Sequence, residues 1–260
     1  MKVTELLNIA GKTAIVTGGA GLYGKDIATG LLEAGCRVIL ASRNLAALEE
    51  TKEQFGKQGY PDVTCYGFDQ GEVASIDDFV ERVYTDYGDI DILVNNAVAR
   101  PMKNFNADIK SWETSMKVNA TGFFYLTRAI GNRMAERGEG SIINIASIQG
   151  VVGVDLTLYE GTEMDGAIPD YFFHKGGVIN LTRFLASYYG KYGVRVNSVA
   201  PGGKFADQNL IFLERYNART FLGRMADDDD IKGVIVLLAS QAAKYITGEN
   251  IMLDAGYVQK

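Results

Sequence analysis

Seven short apolar runs separated mainly by stretches of helical periodicity leave this chain few architectures to choose from. The runs cover residues 13–16, 36–41, 63–68, 90–94, 141–146, 194–199 and 250–253. Helices are expected over 25–34, 45–58, 76–87, 111–137, 171–189 and 228–240. Continuous apolar strands alternating with helices predict a doubly wound parallel sheet, covered on both faces and joined by right-handed crossovers. The 260 residues contain no linker and no repeat, so we expect one α/β domain spanning 1–260. Ligands of such sheets bind beyond the carboxyl ends of the strands. Gly18, Ser42, Asp69, Asn96, Ser147 and Pro201 all fall there.

The first strand runs into TGGAGLYG, residues 17–24, and then into a helix. A pyrophosphate needs bare backbone N–H groups and the positive end of a helix dipole within contact distance, and side chains on the turn would block it. Gly19, Gly21 and Gly24 fit G-x-G-x-x-G, with one glycine for the turn, one for phosphate approach and one for packing helix on strand. Gly18, Leu22 and Tyr23 complete the predicted cradle of a Rossmann-like dinucleotide-binding domain. In that fold an acidic residue at the end of the second strand receives the adenosine ribose hydroxyls, whereas an Arg accommodates a 2′-phosphate. Here the strand ends in Ser42 and Arg43 with no carboxylate, which favours NADP(H) and leaves NAD(H) possible. The alternative is that Arg43 is a solvated helix-start residue and Ser42 an N-cap.

Composition narrows the function classes. With 47% hydrophobic and 22% charged residues the chain is globular, and a net charge of -6 argues against a nucleic-acid surface. Cys36 and Cys65 have no metal-ligand spacing and are expected to be buried reduced thiols, and no metal site is expected. The first residues lack a signal-peptide core and no apolar run approaches the roughly 20 residues of a membrane helix, so a cytoplasmic protein is expected. The aspartates at 227–230 read as an acidic helix start.

A second constellation opens the helix after Pro169 and Asp170. Tyr171 and Lys175, at i and i+4, share a helix face. An adjacent ammonium stabilises a phenolate and draws its pKa toward the working range, so such a pair can exchange a proton.

Taken in order, TGGAGLYG, the turn Asn95-Asn96-Ala97, Asn119 in KVNATG, Ser147 in INIASIQG, Tyr171 with Lys175, and Pro201-Gly202 make the chain similar to the short-chain dehydrogenase/reductase family over essentially its whole length. The resemblance implies hydride transfer between a nicotinamide and a carbonyl carbon. Tyr171 would be the acid or base and Ser147 a donor to the same oxygen. Lys175 would hold the nicotinamide ribose and lower the Tyr171 pKa, and Asn119 would fix a water leading from Lys175 to solvent. Asp69, with Gln70 beside it, would receive the adenine, an Asx turn at Asp69 being the alternative. Asn96, Ala97, Pro201 and Gly202 would line the cofactor, and a homotetramer or dimer is expected.

Three departures stand out against that family. Leu22 occupies the place of the usual middle glycine, Ala206 that of a Thr after Pro201-Gly202, and residues 151–170 are longer than usual. Both ends of that insertion are tied to catalytic residues, so it should overhang the substrate. It carries Asp155, Glu160, Glu163, Asp165 and Asp170 without a Lys or Arg, which would repel an anion unless Arg100 or Lys204 compensates. Its carboxylates and Tyr159 suit a polyhydroxylated ligand, and YEGTEM with YYGKYGVRVNSVAPGG resembles family members of carbohydrate biosynthesis. A sugar or polyol substrate is therefore expected. A 3-oxoacyl thioester reductase and a catalytically silent cofactor sensor are the competing readings. His174, the only histidine, is expected to be structural and to point off the Tyr-Lys face.

Overall fold

The computed structural model describes residues 1–260. In chain order its elements are α1 Val3–Leu6, β1 Thr13–Thr17, α2 Leu22–Glu33, β2 Arg37–Ser42, α3 Leu45–Lys57, β3 Val63–Gly67, α4 Val73–Tyr87 and β4 Ile92–Asn95. Then follow α5 Ile109–Met116, α6 Phe123–Arg137, β5 Gly140–Ile145, α7 Pro169–Tyr189, β6 Val194–Pro201, α8 Leu210–Ala218, α9 Lys232–Ala239 and β7 Asn250–Leu253. The strands form one parallel sheet in the order β3-β2-β1-β4-β5-β6-β7. The chain reverses its direction of travel between β1 and β4, and a crevice opens at such a switch point.

Side chains alternate between the faces of the sheet. Ala14, Val16, Val38, Leu40, Ile143 and Ile145 pack under Ile27 and Leu31 of α2, Leu48 of α3, and Ile235 and Leu238 of α9. On the other face Ile15, Ile39, Leu93 and Ile142 meet Phe79 of α4, Leu126 and Ile130 of α6, and Leu185 and Tyr189 of α7. Burial on both faces is why these strands read as unbroken apolar runs. No helix is long and apolar enough to cross a membrane.

Several expectations need correction. The helix expected over 111–137 is two α-helices joined by a π-helical turn, Lys117–Gly122. Gly122 presses so closely on Gln70 that a Cβ there would lie 1.7 Å from the Gln70 carbonyl, and Asn119 turns inward to bond Ala99. The acidic run does not start α9, whose first residue is Lys232. Asp230 instead grips Arg224 with both oxygens, and Asp228 and Asp229 pair with Lys204 and Lys232, each at 2.8 Å. Asn44, not Ser42, caps α3, accepting from the Ala47 N–H. Cys36 is buried as expected, whereas Cys65 is only partly so; burial pushes the thiols up to about 12 and about 11 respectively. Helices α1 and α8 were not foreseen.

Candidate active site

A cleft of about 570 Å³ runs along the carboxyl ends of the strands, from Ser42 past the glycine turn to Tyr171 and Lys175. At its floor Gly18 turns with φ +66° and leaves no room for a Cβ, which would lie 2.9 Å from the Ala97 Cα. Only the first glycine of the motif departs from the task its position suggests, the turn falling to Gly18. Gly18 makes the turn, Gly19 packs on Leu40, and Gly24 faces the Gly18 carbonyl, 2.1 Å from where its Cβ would stand. Gly21 is the N-cap of α2 and has no side chain to satisfy the first-turn N–H groups. Leu22 is 52% exposed and lines the cleft beside the turn. An uncapped helix start on bare backbone, facing an open cleft, fits the phosphates of a dinucleotide.

Asn96 and Thr17 hold this turn in place. The Asn96 amide donates to the carbonyls of Thr17 and Gly18 at 3.0 and 3.1 Å. The Thr17 hydroxyl accepts from the N–H groups of Asn96 and Ala97. Arg43 and Gln70 line a side pocket with Phe68, Ala97 and Val118, at the β2 end of the cleft. Asp69 lines neither pocket wall; one carboxylate oxygen accepts from the Gly71 N–H at 2.8 Å, which is the Asx turn. Pro201 and Gly202 lie on the wall, as do Tyr23 and Ala97.

Three of the four predicted catalytic residues, Ser147, Tyr171 and Lys175, meet at the other end. Ser147, 6% exposed, accepts from the Gln149 N–H at 3.2 Å, a bond that does not use its own proton. Lys175, 5% exposed, donates to the Ile145 carbonyl at 2.5 Å and lies 5.6 Å from the centre of the Tyr171 ring. The Arg100 guanidinium covers the same ring at 4.7 Å. Burial alone would push the Tyr171 phenol up. The charges of Lys175 and Arg100 and hydrogen bonds from Ser147 and Arg100 outweigh it and hold the phenol below the ordinary tyrosine value. Burial and the neighbouring Arg100 likewise hold the Lys175 ammonium down, against the pull of Tyr171. The Asn119 side chain is bonded to both the N–H and the carbonyl of Ala99 and donates to the Ser115 hydroxyl. His174 is buried, but its ring packs edge-on against Tyr171 at 5.3 Å rather than away from it. Burial and the adjacent Lys175 and Arg100 push it down to about 3, so it stays neutral.

Two supports escaped the sequence. Asn95 donates to Asn144, and Asn144 to Thr182, each at 2.9 Å, a buried chain that fixes β4, β5 and α7 relative to one another. Gly150 lets the turn after Ser147 approach α7, since a Cβ there would lie 2.7 Å from the Lys175 carbonyl.

Beyond Ser147, Tyr171 and Lys175 the cleft is walled by the insertion and by α8. Tyr159, Met164, Asp165 and Ile168 line the cleft opposite Phe212, Tyr216 and Met225. Tyr159, Phe212, Tyr216 and Tyr257 pack ring against ring in series at 5.2, 5.8 and 4.9 Å, the first two pairs tilted and the last stacked. The acidic insertion is not left bare. Arg219 pairs with Asp155, and Arg215 donates to the carbonyls of Thr157 and Glu160 at 2.8 and 2.6 Å. Asp170 is buried, so Asp165 is the one carboxylate of the insertion on the cleft wall. Lys204 is engaged by Asp26 and Asp228 and does not offset the rest. The Asn209 N-cap and the apolar pair Phe212 and Tyr216 were the signal for α8.

Residues 21–258 match the family described as Enoyl-(Acyl carrier protein) reductase. Gluconate 5-dehydrogenase of Gluconobacter oxydans (strain 621H) is 31% identical over 98% of both chains. D-threitol dehydrogenase of Mycolicibacterium smegmatis is 32% identical over 96% of this chain and 94% of its own. A crystal structure of a gluconate 5-dehydrogenase from Burkholderia cenocepacia J2315, in complex with NADP and tartrate, superposes over 100% of both chains with a TM-score of 0.88 and 27% identity. The chain therefore belongs to the short-chain dehydrogenase/reductase family, as an NAD(P)-dependent enzyme acting on a CH–OH group.

Proposed function

We propose that the protein is an NADP(H)-dependent oxidoreductase interconverting a secondary alcohol and a ketone on a sugar, a sugar acid or a polyol. The observation that carries this reading is the Tyr171 phenol, held acidic by Lys175 and Arg100 beside the Ser147 hydroxyl, in the cleft that continues from the uncapped glycine turn. A bound nicotinamide would supply or accept the hydride. Tyr171 gives its proton to the ketone oxygen or takes one from the alcohol, and Ser147 donates a hydrogen bond to the same oxygen as charge develops. Lys175 keeps the phenolate accessible at working pH, and His174, being neutral, adds no competing charge.

NADP(H) is favoured by Arg43, which lines the side pocket beyond Ser42 where no carboxylate would oppose a 2′-phosphate. The NADP in the Burkholderia enzyme accords with it. A polyhydroxylated substrate suits Asp165, Tyr159 and Gln149 on the wall, and a carboxylate on that substrate suits Arg100. Relatives named for gluconate and threitol point the same way. A 3-oxoacyl thioester is the second reading, favoured by the apolar Met164, Ile168, Phe212 and Met225. The exposed Phe184 and Tyr188 of α7 are in keeping with a homo-oligomer.

The test is NADPH oxidation over a panel of keto-sugar acids, ketoses and 3-oxoacyl thioesters, with NADP⁺ reduction by gluconate and threitol. Turnover of the first two classes and of the alcohols supports the proposal. Turnover of thioesters alone transfers the site to the second reading.

A further inference from the structure

The loop after β6 holds a buried charge that the proposed proton transfer does not use. Lys204 is 7% exposed, and its ammonium contacts the Asp26 carboxylate, the Asp228 carboxylate at 2.8 Å and the Leu22 carbonyl at 3.3 Å. An ammonium has three protons. All three are engaged, so Lys204 has none to offer a ligand although it lines the cleft. Asp26, itself 7% exposed, lies in α2 one turn beyond Leu22, at the helix start that faces the cleft. Nearby, the Tyr23 hydroxyl donates to the Gly202 carbonyl at 3.0 Å. Farther along, Gln208 donates to the Lys204 carbonyl at 2.7 Å, and Lys204 bridges Ala226 through its backbone. Every link ends on the segment that carries Pro201, Gly202 and Ala206. Burial would push the Lys204 ammonium down, and its bonds to Asp228 and Asp26 outweigh that and hold it above the ordinary lysine value.

We propose that Lys204 is a positioning residue for the cofactor. It fastens the β6–α8 loop to the first turn of α2 and cancels the charge of Asp26 beside the phosphate seat. Removing the ammonium alone strands a buried carboxylate one turn along the helix whose start faces the cleft, and a charge in so buried a setting is weakly screened from an anionic dinucleotide bound there. The inference rests on the cofactor reading above, and wild-type protein that binds neither NADPH nor NADH would defeat that reading rather than this assignment.

The experiment compares Lys204→Met, Asp26→Asn and the double variant, with NADPH titrated by fluorescence at low and moderate salt and the melting temperature recorded for each. Lys204→Met should raise the NADPH Kd about tenfold or more, with a larger effect at low salt. In the double variant, where the buried pair is gone and only the exposed Asp228 carboxylate has lost its Lys204 partner, affinity should return to within about threefold of wild type even if the melting temperature does not recover. Asp26→Asn should bind NADPH at least as tightly as wild type, and it serves as the test if Lys204→Met fails to fold. Unchanged affinity in Lys204→Met, a double variant no better than that single one, or weakened binding in Asp26→Asn overturns the proposal.

Discussion

The two ends of the cleft are built by different means. The cofactor end is made of backbone: a left-handed Gly18, a Gly24 pressed on the Gly18 carbonyl, and an Asn96 amide that ties both β1 and the turn to β4. The end proposed for the substrate is made of side chains, with Tyr159, Phe212, Tyr216 and Tyr257 packed together from segments far apart in sequence and pinned by Arg215 and Arg219. Backbone seats tolerate few substitutions and accept one ligand shape. Walls of side chains can change one residue at a time, so this end can set specificity without disturbing the cofactor.

That contrast breaks most visibly at the junction. Tyr171→Phe removes the proton donor and should lower kcat by about 10²–10⁴ while leaving NADPH affinity unchanged, as steady-state rates and a binding titration would show. At the backbone end, Gly24→Val places its Cβ 2.1 Å from the Gly18 carbonyl, whereas the nearest atom to a Gly21 Cβ is at 3.1 Å. Gly24→Val should therefore cost about 3 kcal/mol or more in denaturant unfolding and abolish cofactor binding, and Gly21→Ala much less of both. At the side-chain end, Phe212→Ala should reduce kcat/KM for the alcohol roughly tenfold and leave the NADPH Kd alone. If it weakens both equally, the two ends are not independent. Smallest is the effect at the surface, where Arg43→Glu should reduce the preference for NADPH over NADH by several fold, read as the ratio of their dissociation constants.

The same contrast explains what the sequence made legible. The parallel sheet was readable because strands buried on both faces are apolar throughout, as at Ala14, Ile15 and Val16. Tyr171 and Lys175 were readable because one helix carries both. The turn was assigned one position late, to Gly19 rather than Gly18, since a motif marks where glycines stand but not which Cβ would collide. The split of the helix expected over 111–137 was hidden because its cause lies in Gln70 and Ala99, contacts distant in sequence from Gly122 and Asn119. For the same reason the acidic insertion looked uncompensated, its partners Arg215 and Arg219 lying more than 50 residues away, within and just after a helix that was not foreseen.

The central claim is that Tyr171 moves the proton and that Lys175 sets where it titrates. Alcohol oxidation needs the phenolate, so its rate should rise with pH through the Tyr171 pKa, which lies below the ordinary tyrosine value, and ketone reduction should fall over the same limb. The only histidine, held at about 3, cannot supply that limb. The decisive measurement is the pH–rate profile of NADP⁺ reduction, at saturating cofactor, for wild type and Lys175→Met. Loss of the ammonium should move the rising limb upward by about one pH unit or more. A limb that stays in place, or a wild-type profile without one, would contradict the account.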